Sequence, residues 1–199
     1  MKRCAGEIFA DTFQGKLAEF AFYNVFRNMQ EIYLEKPDVK RMGLREWDSC
    51  DFNINGKKIA IKSTKFFGNL LLLETKDWDE NGRYIPNIDS NCSEYDYFVL
   101  IRVRPECSNI MKRNRWYYTN HLDYEVLWPA ITNETWSANL VGFITREELI
   151  KSVIKTKQIL PQNANLNGTT KMDADNYYVQ AGDMNSISEL IKVIKSKTY

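Results

Sequence analysis

The side chains best equipped for chemistry are Asp51 and Lys62, both in the stretch DFNINGKKIAIKSTK that runs from Asp51 to Lys65. A carboxylate can hold a hard divalent cation through its oxygens. An ammonium can offset negative charge that grows on a substrate. The two cooperate only if the fold sets them on one face, and the residues between them do this. Asn55-Gly56 predicts a two-residue hairpin turn with positive φ at both central positions. Folding there sets Ile54 opposite Lys57, Asn53 opposite Lys58, Phe52 opposite Ile59 and Asp51 opposite Ala60. Opposed residues share a face, and successive residues alternate faces. Phe52, Ile54, Ile59 and Ile61 then make an apolar face. Asp51, Asn53, Lys58, Ala60 and Lys62 make the other.

This pattern resembles the PD-(D/E)XK nuclease family, the fold of many type II restriction endonucleases. In that family an Asp on one strand is followed by an acid-x-Lys triplet on the next. Asp51 matches the first acid, and Ala60-Ile61-Lys62 stands where the triplet belongs. Ala60 departs from the pattern, since an Asp or Glu is expected there. The resemblance implies an α/β fold with a mixed central β-sheet flanked by helices, a restriction-endonuclease-like core. It implies Mg²⁺ as cofactor, held by Asp51 and by the backbone carbonyl of Ile61, with Lys62 catalytic. The family's first helix often brings in a Glu, and Gly-Lys-Leu-Ala-Glu ending at Glu19 resembles that helix. Glu19 is therefore a candidate catalytic and metal-binding acid, against the alternative of a solvated Glu on a polar helix face. Glu74 is a second candidate for the missing acid. If the turn after Lys65 is centred on Phe67, Leu70 lies opposite Thr64 and Glu74 opposite Ala60. A slip of one residue would send Glu74 to the other face.

Asp48 is a rival to Asp51, but in an unbulged register it falls on the opposite face. The single histidine, His121, excludes multi-histidine metal sites. The sequence has no G-x-S-x-G elbow, no Walker A loop and no G-x-G-x-x-G loop. Cys4, Cys50, Cys92 and Cys107 form no CxxC pair, which disfavours zinc and suits reduced thiols in a cytoplasm. A formal net charge of +1 gives no global basic field, so any DNA site must be a local patch. Lys112, Arg113 and Arg115 interleave with Trp116 and Tyr117, and with Lys65 they are the candidate DNA-binding residues. A solvated basic edge is the plainer alternative. Lys40, Arg41 and Arg45 could also meet phosphates. No apolar run approaches the length of a membrane span.

A chain of 199 residues predicts a single nuclease-like domain, 1–199. Residues 6–30 read as a helix with Leu17, Ala21, Val25 and Met29 as its stripe, widened by Phe22 and Phe26. Trp47 opens the first hairpin strand. The run Leu70 to Thr75 reads as a third strand of the central sheet, covered on both faces. Residues 76–96 are a polar insert, and 95–105 a strand stopped by Pro105. Residues 140–145 are another strand. Thr145 and Glu148 predict a capping box that opens a helix to about Gln158. A strand at 175–180 and a helix capped by Ser186, with Ile187, Leu190, Ile191 and Ile194 inward, close the chain.

The expected function is a Mg²⁺-dependent hydrolase of phosphodiester bonds, a DNA endonuclease of the type II restriction class. Its expected partner is double-stranded DNA, with a homodimer matching a palindrome. Two other readings stay open. One is a catalytically inactive DNA-binding or assembly module of this fold, and the other is an RNA-processing nuclease.

Overall fold

The computed structural model describes residues 3–30, 32–39, 50–89, 93–166, 168 and 170–196. The readings of Lys40, Arg41, Arg45, Trp47, Asp48 and Cys92 fall outside these residues. A four-stranded mixed sheet lies at the centre, in the order β1 (Phe52–Ile54), β2 (Lys57–Lys65), β4 (Tyr97–Arg104), β5 (Ser137–Thr145). β1 and β2 are antiparallel, β2 and β4 parallel, β4 and β5 antiparallel. A parallel neighbour cannot be reached by a tight turn. The chain between β2 and β4 accordingly leaves the sheet and crosses its face.

The hairpin forms as its sequence dictates. Asn55 and Gly56 both have positive φ, at 52° and 82°. The register pairs Phe52 with Ile59, Asn53 with Lys58 and Ile54 with Lys57. Phe52, Ile54, Ile59 and Ile61 join one core cluster with Val99, Ile101 and Phe143. Helices α1 (Ala5–Phe26) and α5 (Ile187–Lys195) cover that face through Ala18, Phe22, Phe26, Leu190 and Ile194. The α1 stripe packs largely as expected, with Leu17, Ala21 and Met29 half-buried beside Phe22 and Phe26, and it centres on the phenylalanines. Ala18, Phe22 and Phe26 are fully buried, while Val25 is exposed. Aromatic area centres it, because Phe22 stacks on Phe26 and meets Phe52 at a tilt, with ring centroids 4.2 and 5.0 Å away. In α5, Ser186 and Glu189 form a capping box, and Leu190 and Ile194 point inward as expected.

The opposite face carries Ala60, Phe98, Leu100 and Ile144. A second sheet covers it, ordered β3 (Leu70–Glu74), β9 (Asn176–Gln180), β6 (Ile159–Leu160). This corrects the expected place of β3. It does not pair with β2, so Leu70 is not opposite Thr64, nor Glu74 opposite Ala60. β3 instead pairs antiparallel with β9, setting Leu70 against Gln180 and Glu74 against Asn176. The run is not covered on both faces. Leu71 and Leu73 alternate inward, and the other positions are half-buried. Arg102 directs the crossing by donating to the Gly68 carbonyl at 2.8 Å and to Asn69 Oδ1 at 2.5 Å.

The Thr145 capping box forms as expected, but the helix it opens is short. α4 (Arg146–Leu149) passes into a π-helical turn at Ile150–Ile154. A small hairpin of β7 (Asn165–Leu166) and β8 (Thr170–Lys171) precedes β9. A third core cluster joins the start of α1 to α2 (Cys107–Arg113) and α3 (Tyr124–Thr132) through Ala10, Cys107, Ile110, Met111 and Ile131. Cys107 is fully buried, and burial followed by the charge of Asp11 pushes its thiol up to about 12, which leaves it unreactive. No helix among the described residues is long and apolar enough to cross a membrane.

Candidate functional site

Asp51 stands just before β1, at the outer edge of β2. Its Oδ2 accepts a hydrogen bond from the Ile61 N–H at 2.6 Å. That bond fixes the carboxylate one residue from Lys62, as the hairpin register requires. Lys62 is half-buried on the face of Ala60. Its Nζ lies 5.9 Å from the centre of the Trp78 ring, within range of a cation–π attraction. Trp78 is itself held by Tyr84, Tyr95 and Phe98, with ring centroids 5.1, 6.1 and 5.2 Å away. The ammonium therefore meets a fixed aromatic surface rather than bulk water.

Glu74 ends β3, and Thr75–Asp77 form the single turn that follows. Glu74 Oε2 is buried and forms an ion pair with Lys76 Nζ at 2.5 Å, which raises the pKa of the Lys76 ammonium. Burial, reinforced by the charge of Glu74, pushes the Asp77 carboxyl above its ordinary value, against the pull of Lys76 and Lys62. Burial likewise raises the Tyr84 phenol, and the charges of Asp77, Glu74 and Asp51 add to it. Tyr84 thus feels the charges of Asp77, Glu74 and Asp51, while Asp77 feels those of Glu74, Lys76 and Lys62.

Glu19 is buried on α1, which packs on the Ile59 and Ile61 face. Its Oε2 pairs with Lys16 at 2.8 Å. Ala60 is buried among apolar side chains of the second cluster. Its methyl fills packed space at the position where the family resemblance expects an acid.

The donor set available to Mg²⁺ is oxygen only: the Asp51 and Glu74 carboxylates, Asp77, and the Ile61 carbonyl. Among the described residues no three histidine, cysteine, aspartate or glutamate side chains form a group that could hold a metal ion. Mg²⁺ does not demand such a cage, since it binds through one or two carboxylates and takes waters and substrate phosphate for the rest. The charge of Glu74 is already offset by the Lys76 ammonium. Asp51 and the Ile61 carbonyl are the oxygens that would hold such an ion, with water and substrate phosphate completing it.

The basic segment is organised differently from the bare edge considered above. Lys112 and Arg113 end α2, and Arg115 has a left-handed backbone with φ 60°. Lys112 Nζ sits 4.6 Å from the Tyr117 ring centre. Arg113 pairs with Glu134 at 2.7 Å, and Lys65 with Glu106 at 3.5 Å. A cavity of about 430 Å³ lies elsewhere, at the start of β2 and β4, lined in part by Lys57, Lys58, Asp96 and Arg146. Its charges pair internally, Lys57 with Asp96 and Arg146 with Glu94, and the candidate residues do not line it.

Asp77, Trp78 and Tyr84 were not singled out by the sequence. Within the polar insert, the weak signal was an acid beside an aromatic, DWD, directly after the β3 run. No protein-family model, curated protein or solved structure matches the chain.

Proposed function

We propose that this chain is a Mg²⁺-dependent endonuclease that hydrolyses phosphodiester bonds in double-stranded DNA, with a restriction-endonuclease-like core. The observation that carries the reading is the bond from Ile61 N–H to Asp51, which holds a carboxylate beside Lys62 at the edge of β2. Asp51 and the Ile61 carbonyl would hold Mg²⁺, with a further acid from the neighbourhood or from Glu19. The ion supplies Lewis acidity toward a phosphoryl oxygen and makes water a competent nucleophile near neutral pH. Lys62 offsets the charge that grows on the phosphate as the bond to the leaving oxygen breaks. It keeps its own charge only where the surrounding anions outweigh the cation. Lys65, Lys112, Arg113 and Arg115 neutralise backbone phosphates. The Arg113–Glu134 pair is no obstacle, because an exposed ion pair is worth only about 0–1 kcal/mol and exchanges readily. A type II restriction role, a homodimer and a cytoplasmic location belong to the same proposal.

A second reading has one observation of its own. Ala60 is buried in the core and Asp51 spends an oxygen on a backbone N–H, which suits an inactive DNA-binding module of the same fold. Incubating the chain with plasmid DNA and with RNA, with Mg²⁺ or with EDTA, separates the readings. The endonuclease cuts DNA with Mg²⁺ alone. Binding without cutting identifies the inactive module, and preference for RNA identifies a processing nuclease.

A further inference from the structure

We infer that Phe67, at the tip of the turn that follows β2, is an aromatic wedge that inserts between base pairs of a DNA duplex, with Lys65 and Arg104 on the phosphates beside it. The inference takes its partner from the endonuclease reading and adds a contact which that reading leaves out. The Gly68 N–H donates to the Lys65 carbonyl at 2.8 Å and closes a turn whose two central residues are Phe66 and Phe67. Such positions ordinarily take Gly, Pro, Asn, Asp or Ser, each for its backbone or for its own hydrogen bonds. Phenylalanine gives a turn nothing of that kind, so the two rings must be explained by what they touch. Phe66 lies half-buried under Arg104, whose guanidinium carbon is 4.5 Å from the ring centre. Phe67 stands edge-on to Phe66, with ring centroids 5.4 Å apart and planes at 81°. It is 83% exposed, more than any other large apolar side chain among the described residues.

The tip is braced, and its surroundings are basic. Arg102 donates to the Gly68 carbonyl and to the Asn69 side chain. Arg104 Nε donates to Ser137 Oγ at 2.6 Å. A Cβ at Gly68 would come within 2.1 Å of Thr64 Oγ1, so the turn packs tightly on its own strand. A ring held this way loses little freedom when a partner covers it. The parallel register sets Lys62 beside Leu100 and Thr64 beside Arg102, so alternation puts Lys62, Arg102 and Arg104 on one face of the sheet. Lys65 leaves from the other face, is 59% exposed, and meets Glu106 at 3.5 Å, an ion pair weak enough for a phosphate to replace. Cations therefore flank the ring on both sides, which complements a polyanion rather than an apolar helix. Lys65 lies about 10 Å along β2 from Lys62. That is roughly three base steps on one DNA strand. An apolar ring inserted there would unstack and kink the duplex beside the proposed cleavage centre.

The test uses the full chain and a duplex with internal 2-aminopurines, whose fluorescence rises when they are unstacked, in EDTA so that nothing is cut. The variants are Phe67→Ala, Phe67→Trp and, as an aromatic of similar exposure elsewhere, Tyr33→Ala, at 78% exposed. Thermal unfolding checks that each one folds, and plasmid cleavage in Mg²⁺ is run in parallel. Wild type, F67W and Y33A should raise the fluorescence. F67A should lose the rise and bind at least about fivefold more weakly, as expected when a stacking contact is removed. Its salt dependence should keep the wild-type slope, because a phenyl ring neutralises no phosphate. If F67A keeps the wild-type rise and affinity, the inference is overturned, and the endonuclease reading stands as long as wild type cuts. A rise that F67A abolishes, in a chain that never cuts, upholds the wedge and overturns the cleavage. A wild type that leaves the probes stacked overturns the wedge, and Phe67-dependent self-association or binding to anionic lipid vesicles would then assign the ring to a second copy or to a membrane.

Discussion

Ala60 is the residue on which the proposed chemistry turns. Its small side chain packs with Leu71 and Leu73, so that β3 closes over that face of the central sheet. Asp51 and Lys62 were legible in the sequence because their relation is local. A two-residue turn fixes their register, and alternation fixes their face. The place of Glu74 was not legible, because it depends on β3 pairing with β9, about a hundred residues away in the chain. Glu148 was legible for the same local reason as the hairpin, as the N3 partner of the Thr145 cap. Burial works against its charge, but hydrogen bonds from Thr145 and Asn185 prevail and hold its carboxyl below the ordinary value of 4.5. A depressed folded value means stability that is present above 4.5 and lost as pH falls through the folded value. Glu148→Gln should therefore cost about 1 kcal/mol at neutral pH. The gap should close in acid. Denaturant unfolding from pH 7 down to pH 3 checks this, and a gap that stays constant with pH would refute it.

At the scale of elements, strands with strong local signals appeared where expected, while elements set by long-range contacts moved. The hairpin, β4, β5, β9 and α5 follow their turns, caps and apolar runs. α1 was legible as a helix and so was most of its inward side, since Phe22 and Phe26 are buried and Leu17, Ala21 and Met29 pack against the core, with Val25 exposed. The helix from Thr145 stops early in a π-helical turn, where Val153 and Ile154 meet the second core cluster. One close approach had no sequence signal beyond the glycine itself. The Gly6 N–H donates to Thr119 O at 2.9 Å, and a Cβ there would come within 1.9 Å of Trp116 O. The obstacle is backbone, so it cannot swing aside as a flexible side chain would. Gly6→Ala should destabilise the fold by about 1–3 kcal/mol through overpacking. It should also loosen the α1–α2 junction that positions the basic segment. Chemical denaturation measures the loss, and an unchanged midpoint would show that the two elements separate at little cost.

Across the whole molecule, charge is balanced at +1, so attraction to a polyanion must come from where the cations stand. The end of α2 and the following turn gather Lys112, Arg113 and Arg115, and Lys65 ends the strand that carries Lys62. Arg113→Ala and Arg115→Ala should each weaken DNA binding and flatten the log–log salt dependence by about one unit per lost phosphate contact. Binding measured from low to moderate salt reads both quantities. An unchanged affinity and slope in both variants would return the segment to ordinary surface.

The central claim is that Asp51 and Lys62 form one phosphodiester-hydrolysing site. Its most direct test is plasmid cleavage in Mg²⁺ by wild type, Asp51→Ala and Lys62→Ala, with the unfolding of each chain measured alongside. The account predicts that wild type cuts and that EDTA stops it. It predicts that both variants stay folded and lose cleavage by at least about a hundredfold, as expected when a group acting in the transition state is removed. Near-wild-type cutting by either variant at matched stability would contradict it.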